Sequence, residues 1–138
     1  MFRHMQQCMH YHRTFHHDPS WLPPGRVLEM CTVDAARALG MADEIGSLEV
    51  GKKADVVLLD WRRPHLYPAN MPLFRLVYFA NGNDVDTVIV DGRIALRGRK
   101  TMFVNEDAVL DTAQAQTEWM LDYCGYRPLL ETPASFWG

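Results

Sequence analysis

The stretch Gly46–Trp61, GSLEVGKKADVVLLDW, runs from a turn through two lysines into a burst of apolar residues, and ends on Asp60 and Trp61. Gly46 and Gly51 bracket a tight turn that holds Leu48 and Val50. From Ala54 to Asp60 the chain is a near-continuous apolar run of strand length. Apolar residues at both odd and even positions predict a strand covered on both faces, because a half-exposed strand would alternate.

Downstream, Arg62–Phe74 carries Pro64, Pro68 and Pro72 and reads as an irregular connection. Arg75–Ala80, RLVYFA, fits a helix or a strand, since six residues are too few for periodicity to decide. The next segment, DTVIVDGRIALRGR (residues 86–99), is the sharpest local signal. Thr87 and Ile89 face one way, Val88 and Val90 the other, and Asp91-Gly92 is a two-residue turn suited to type I′ geometry. Thr101–Val104 is expected to extend the pairing. Asn105 then caps a helix over Glu106–Tyr123, broken by Gly125, and RPLLETPASFWG forms an extended tail.

Upstream the period changes. Phe2, Met5, Met9 and His12 or Arg13 recur at helical spacing within Met1–Thr14. His16–Ser20 is a loop, because Asp18-Pro19 disfavours further helix. Leu22–Gly40 reads as two short helices, with Pro23 and Pro24 in a first turn. Thr32 is the candidate N-cap of the second, and Gly40 its terminator. The order is therefore helices, strands, helix, with a change of character between Gly40 and Gly46.

The 138 residues are 48% apolar and 22% charged, with a net charge of −3. That is an ordinary globular composition. It lacks the basic face a nucleic-acid partner needs, and Arg97, Arg99 and Lys100 read as a solvated hairpin end. No run approaches the roughly 18 apolar residues of a membrane span. Cys8, Cys31 and Cys124 are widely spaced and odd in number, which predicts reduced thiols and a cytoplasmic protein.

Candidate chemistry is sparse. His4, His10, His12, His16 and His17 crowd the first 17 residues, and His12 and His16 are spaced to share a helix face. No cysteine pair or HExxH accompanies them, so a three- or four-ligand metal site is not assigned. Asp55 is expected to accept from turn amides near Lys52 and Lys53, and Asp60 to end the strand. Asp84, Asp86 and Asp91 read as turn and edge carboxylates. His65 reads as structural. Cys31 precedes a helix N-cap, where a thiolate is stabilised, but it has no base beside it and reads as packed. Catalytic, cofactor-binding and metal-ligating residues within the chain are accordingly none.

Three segments together carry a resemblance. AARALGMADEIGSLEVGKKADVVLLD (residues 35–60), PHLYP (64–68) and DVDTVIVDGRIALRGR (84–99) closely resemble the C-terminal part of the amidohydrolase superfamily. Within it they are similar to the chlorohydrolase and deaminase branch, whose members act on triazines, guanine-like bases and adenosine derivatives. The likeness runs over nearly the whole chain and is weak on substrate.

The resemblance implies a mixed α/β fold: C-terminal helices of a (β/α)₈ barrel, the C-terminal half of a composite β-sandwich, and a terminal helix. The implied divisions are residues 1–45, 46–104 and 105–138. It implies a metal-dependent reaction on a non-peptide C–N or C–Cl bond of a nitrogen heterocycle, with zinc or iron in the full-length enzyme. The family's metal-binding HxH pair, later histidines and aspartate match no position here. His10-Tyr11-His12 spells HxH in a helical context and does not inherit the role. A whole barrel takes about 250 residues, so the expectation is a C-terminal portion in which Met1 is an internal residue. That portion is expected to be inactive without the N-terminal barrel, and to associate with that portion or with itself. The alternatives are a non-catalytic binding or assembly module that retains the sandwich, and a His-rich metal-binding peptide joined to a β-domain.

Overall fold

Helix α1 (Phe2–His16) forms because Phe2, Met5 and Met9 recur on one face with no breaker between them. It ends where His17 turns left-handed (φ 50°), and Asp18 N–H closes back on Arg13 O at 3.1 Å. Helix α2 (Pro24–Cys31) starts on a proline whose missing N–H costs nothing in a first turn. Helix α3 (Val33–Ala38) stops at Gly40 (φ 70°), where Met41 N–H donates to Ala36 O and Gly40 N–H to Arg37 O. This is the paired termination that a glycine one position past the cap permits. Helix α4 (Pro72–Tyr78) resolves the ambiguous RLVYFA segment as helical.

The computed structural model describes residues 1–133 and 135. They fall into two compact units, Met1–Met102 and Phe103–Gly138. In the first, α1, α2 and α4 bury Met5, Met9, Val27 and Val77, with Phe2, Leu22, Leu28 and Tyr78 packed around them. Four antiparallel strands complete the unit in the order β1 (Val56–Leu59), β2 (Val85–Val90), β3 (Arg93–Arg97) and β4 (Lys100–Thr101). Val56 faces Ile89 and Leu58 faces Thr87 across the first pair. Asp91 (φ 50°) and Gly92 (φ 76°) make the expected turn between β2 and β3, with both φ angles positive as type I′ demands. The fold is thus mixed α/β with a small antiparallel sheet.

Two local expectations are corrected. The strand at the centre of residues 54–60 is not covered on both faces. It is an edge strand among the described residues, with Val57 and Leu58 each about half exposed. Thr32 sits between α2 and α3 but does not cap α3. Its hydroxyl donates back to Leu28 O at 2.8 Å, satisfying the end of the preceding helix instead.

In the second unit α5 (Glu106–Tyr123) has the predicted bounds. Asn105 Oδ1 accepts from Ala108 N–H at 3.2 Å, and Glu106 and Asp107 complement the helix dipole in the first turn. Gly125 (φ 66°) ends it. Arg127–Leu130 then makes a short 3₁₀ turn where an extended tail was expected. Ala134 and residues 136–138 lie outside the described residues. No described helix is long and apolar enough to cross a membrane.

Gly46 locks the bracketed turn against α3. Its φ is +95°, and a Cβ there would lie 2.7 Å from Ala36 Cβ and 3.1 Å from Thr32 O. Gly51 has the same φ with open space around it. Gly46→Ala is expected to lower stability by about 2–4 kcal/mol, strain and overpacking together, and Gly51→Ala by about 1–2 kcal/mol from strain alone. Urea unfolding of the two variants measures the difference.

Candidate functional site

The side chains able to do chemistry gather in two places in the first unit. One is the exposed side of α1. His4, Cys8, His12 and His16 follow one another a turn apart, and His4, Cys8 and His12 line one open groove. The His12 and His16 rings lie 6.2 Å apart at 11°, and His16 stacks on Trp21 at 4.0 Å. Arg13, on the neighbouring side, is wholly occupied. It donates to Trp21 O (2.8 Å), Leu22 O and the Tyr78 hydroxyl, and lies over the Tyr78 ring.

The other place is a polar cluster at the entry to β2. Asn81 opens a 3₁₀ turn (Gly82–Asp84), its Oδ1 accepting from Asn83 N–H at 2.9 Å. Asp84 Oδ2 accepts from Asn81 N–H at 2.8 Å, a reciprocal capping arrangement. The same oxygen lies 2.9 Å from His65 Nε2. Asp84 is 1% exposed, so the cluster ties the Pro64–Leu66 turn to the end of α4 and the start of β2 from inside.

This corrects the reading of Asp84 as an edge carboxylate. Local sequence marks it as a turn residue, whereas its burial depends on His65, 19 residues away. The Asn81-x-x-Asp84 spacing was the one signal available. His65 meets Asp84 on the same oxygen that accepts the Asn81 amide, so the pair joins the Pro64–Leu66 turn to the entry of β2.

The other carboxylates are similarly committed. Asp55 Oδ1 accepts from Asp91 N–H at 2.7 Å, not from the lysine turn, because the β1–β2 pairing brings the hairpin turn beside it. Asp60 accepts from Arg62 N–H and pairs with Arg63 and Arg99, each at 3.1 Å. Arg99 is therefore not simply a solvated hairpin end. Burial, with Cys8 adding to it, pushes the Cys31 thiol up, the opposite of a helix-stabilised thiolate. Among the described residues no three His, Cys, Asp or Glu side chains converge to hold an ion. A catalytic zinc takes three protein ligands, so the described residues do not fit one.

Two outcomes follow. Asp84→Ala is expected to cost about 3 kcal/mol in denaturant unfolding, since it strands an inward N–H and a histidine. His65→Gln is expected to cost no more than about 1 kcal/mol, because that ring is partly in water. Cys31 is expected to alkylate with iodoacetamide several-fold more slowly than exposed Cys124 at about pH 8, read by peptide mass spectrometry.

Comparison with known proteins places this geometry. The chain is 50% identical over 105 residues to the 5-methylthioadenosine/S-adenosylhomocysteine deaminase of Desulforudis audaxviator, covering 76% of this chain and 24% of that enzyme. It is 41% identical over 118 residues to the S-triazine hydrolase of Gordonia rubripertincta, covering 83% and 25%. Among solved structures, an adenosine deaminase from Xanthomonas campestris with bound zinc superposes with a TM-score of 0.81 at 30% identity, over 86% of this chain and 27% of that one. The zinc-complexed atrazine chlorohydrolase of Arthrobacter aurescens shares the fold, with a TM-score of 0.73 at 21% identity, over 83% and 26%. The chain spans about a quarter of the length of the curated relatives it matches. Residues 1–95 match the amidohydrolase family, and the chain belongs to that family.

Proposed function

We propose that this chain is the C-terminal portion of a metal-dependent amidohydrolase that deaminates a nitrogen heterocycle. In that reaction water adds at a ring carbon and ammonia leaves. The metal and the groups that activate water come from a barrel supplied by the rest of the enzyme, and this chain contributes no catalytic residue. Residues 1–45 act as helices of that barrel, 46–104 as strands of a composite sandwich, and 105–138 as a closing helix and tail. The working assembly is cytoplasmic, and this chain joins either the remaining portion or a second copy of itself.

The carrying observation is the 50% identity to a methylthioadenosine/adenosylhomocysteine deaminase, held over a segment that is 24% of that enzyme. Deamination is preferred over dechlorination because that relative and the 5′-deoxyadenosine deaminase of Methanosarcina mazei both carry the activity in their names. Two features of the chain support the division of labour. Its carboxylates cap turns and pair with arginines. Strand β1 also leaves Val57 and Leu58 half exposed on an edge, where a further strand would cover them.

The test is ammonia release from methylthioadenosine, adenosine and an aminotriazine, with added zinc or iron. The chain is assayed alone and co-expressed with a polypeptide carrying the other three quarters of the deaminase relative. No turnover alone, and metal-dependent turnover by the co-purified pair, is expected. Turnover by the chain alone overturns the reading. So does a stable co-purified pair that is inactive on every substrate, which would instead favour a non-catalytic assembly role.

A further inference from the structure

The α1 histidines are absorbed neither by the core nor by the proposed reaction. Met5 and Met9 carry the buried face of the helix, and Arg13 fastens it to Tyr78. On the remaining surface His12 and His16 stand one turn apart, with their rings nearly parallel at 6.2 Å. Among the described residues neither ring takes part in a hydrogen bond. The Trp21 ring against His16 holds that imidazole at the helix end, where the chain turns at His17.

The geometry points to a two-imidazole site on α1, formed by His12 and His16, that takes a borderline divalent transition metal such as Ni²⁺ or Zn²⁺. Residues four apart on a helix are surface neighbours. The 6.2 Å ring spacing lets one ion sit at the roughly 2.0–2.1 Å of a metal–imidazole bond from both rings once the His16 imidazole turns off its stack on Trp21. Water fills the other positions.

The ion class follows from the donors. The nearby carboxylate, Asp18, is engaged through Oδ1 by the Ser20 N–H and hydroxyl, so the two rings set the preference, and imidazole suits nickel, copper and zinc over oxygen-seeking Mg²⁺ and Ca²⁺. Cys8, one further turn back and on the same groove as His12, adds a soft atom nearby. Two ligands make a modest site rather than a closed structural one, in keeping with the absence of a converging triad among the described residues.

The test is titration of the whole chain with NiCl₂ and ZnCl₂ by calorimetry, with tryptophan fluorescence followed in parallel. Nickel at His16 would sit beside the Trp21 ring and quench it. His12→Gln and His16→Gln are each expected to weaken Ni²⁺ binding at least about tenfold, because a two-point chelate becomes a single contact, and to abolish the quenching. His10→Gln and His17→Gln are expected to leave both within about twofold. All four side chains lie at the surface or only partly covered, so circular dichroism should be unchanged. Equal weakening by all four substitutions, or undiminished Ni²⁺ binding in the His12→Gln/His16→Gln double variant, overturns the assignment. None of these readouts depends on deaminase activity.

Discussion

The antiparallel pairing of β1 with β2 is the constraint from which much of the first unit follows, and both of its ends are clamped. At one end Gly92 N–H donates to Ala54 O at 3.0 Å and Asp91 N–H to Asp55 Oδ1 at 2.7 Å. At the other, Asp60 N–H donates to Asp84 O at 2.7 Å. The strands between are short, so these terminal bonds set the register in which Val56 meets Ile89 and Leu59 meets Val85. That register carries the β2–β3 hairpin to the end of the Gly46–Gly51 turn. The turn in turn lies against α3 through the missing Cβ of Gly46. Sheet and helices are joined in this way by backbone contacts, by the close approach at Gly46 and by the buried Asp84 cluster between α4 and β2.

The same pairing explains where the acidic residues went. A chain in a hydrolase family invites a search for carboxylates that could hold a metal or move a proton. Here Asp55, Asp60 and Asp84 each accept from a backbone amide within or beside the sheet. Asp34 bridges Arg26 and Arg37, and Asp18 caps Ser20. A carboxylate engaged by fixed N–H donors and guanidinium groups has few lone pairs free for an ion. The turns and ion pairs of the first unit thus account for these carboxylates.

Helix α1 shows a different allocation. One face supplies sulfur-rich packing through Met5 and Met9, side chains flexible enough to fill the space between α2 and α4. Arg13 spends its donors on carbonyls and a tyrosine hydroxyl at the helix C-terminus, where a cation also complements the dipole. Of the imidazoles, His16 is left on the solvent side stacked on Trp21, while His10 meets the Tyr78 ring edge-on at 6.0 Å.

Much of the architecture was legible without coordinates because it rests on short-range rules. The Asp91-Gly92 hairpin, the Asn105 cap, the Gly40 stop and the bounds of α5 each follow from the conformational needs of one or two residues. Helix α1 follows from a repeat of three to four residues. What the sequence could not decide depended on partners far along the chain. RLVYFA became a helix because Val77 is wanted in the core of α1 and α2. Asp55 turned to a hairpin turn 36 residues away. Asp84 went inside because His65 meets it there. The exposure of β1 is of the same kind, since residue order determines that a strand is apolar on both faces but not what lies beside it. The sequence alone determined the local elements, their caps and the family to which the chain belongs. Which polar side chains are buried, and which strand stands at an edge, was decided by tertiary pairing, because burial is a property of neighbours rather than of position along the chain.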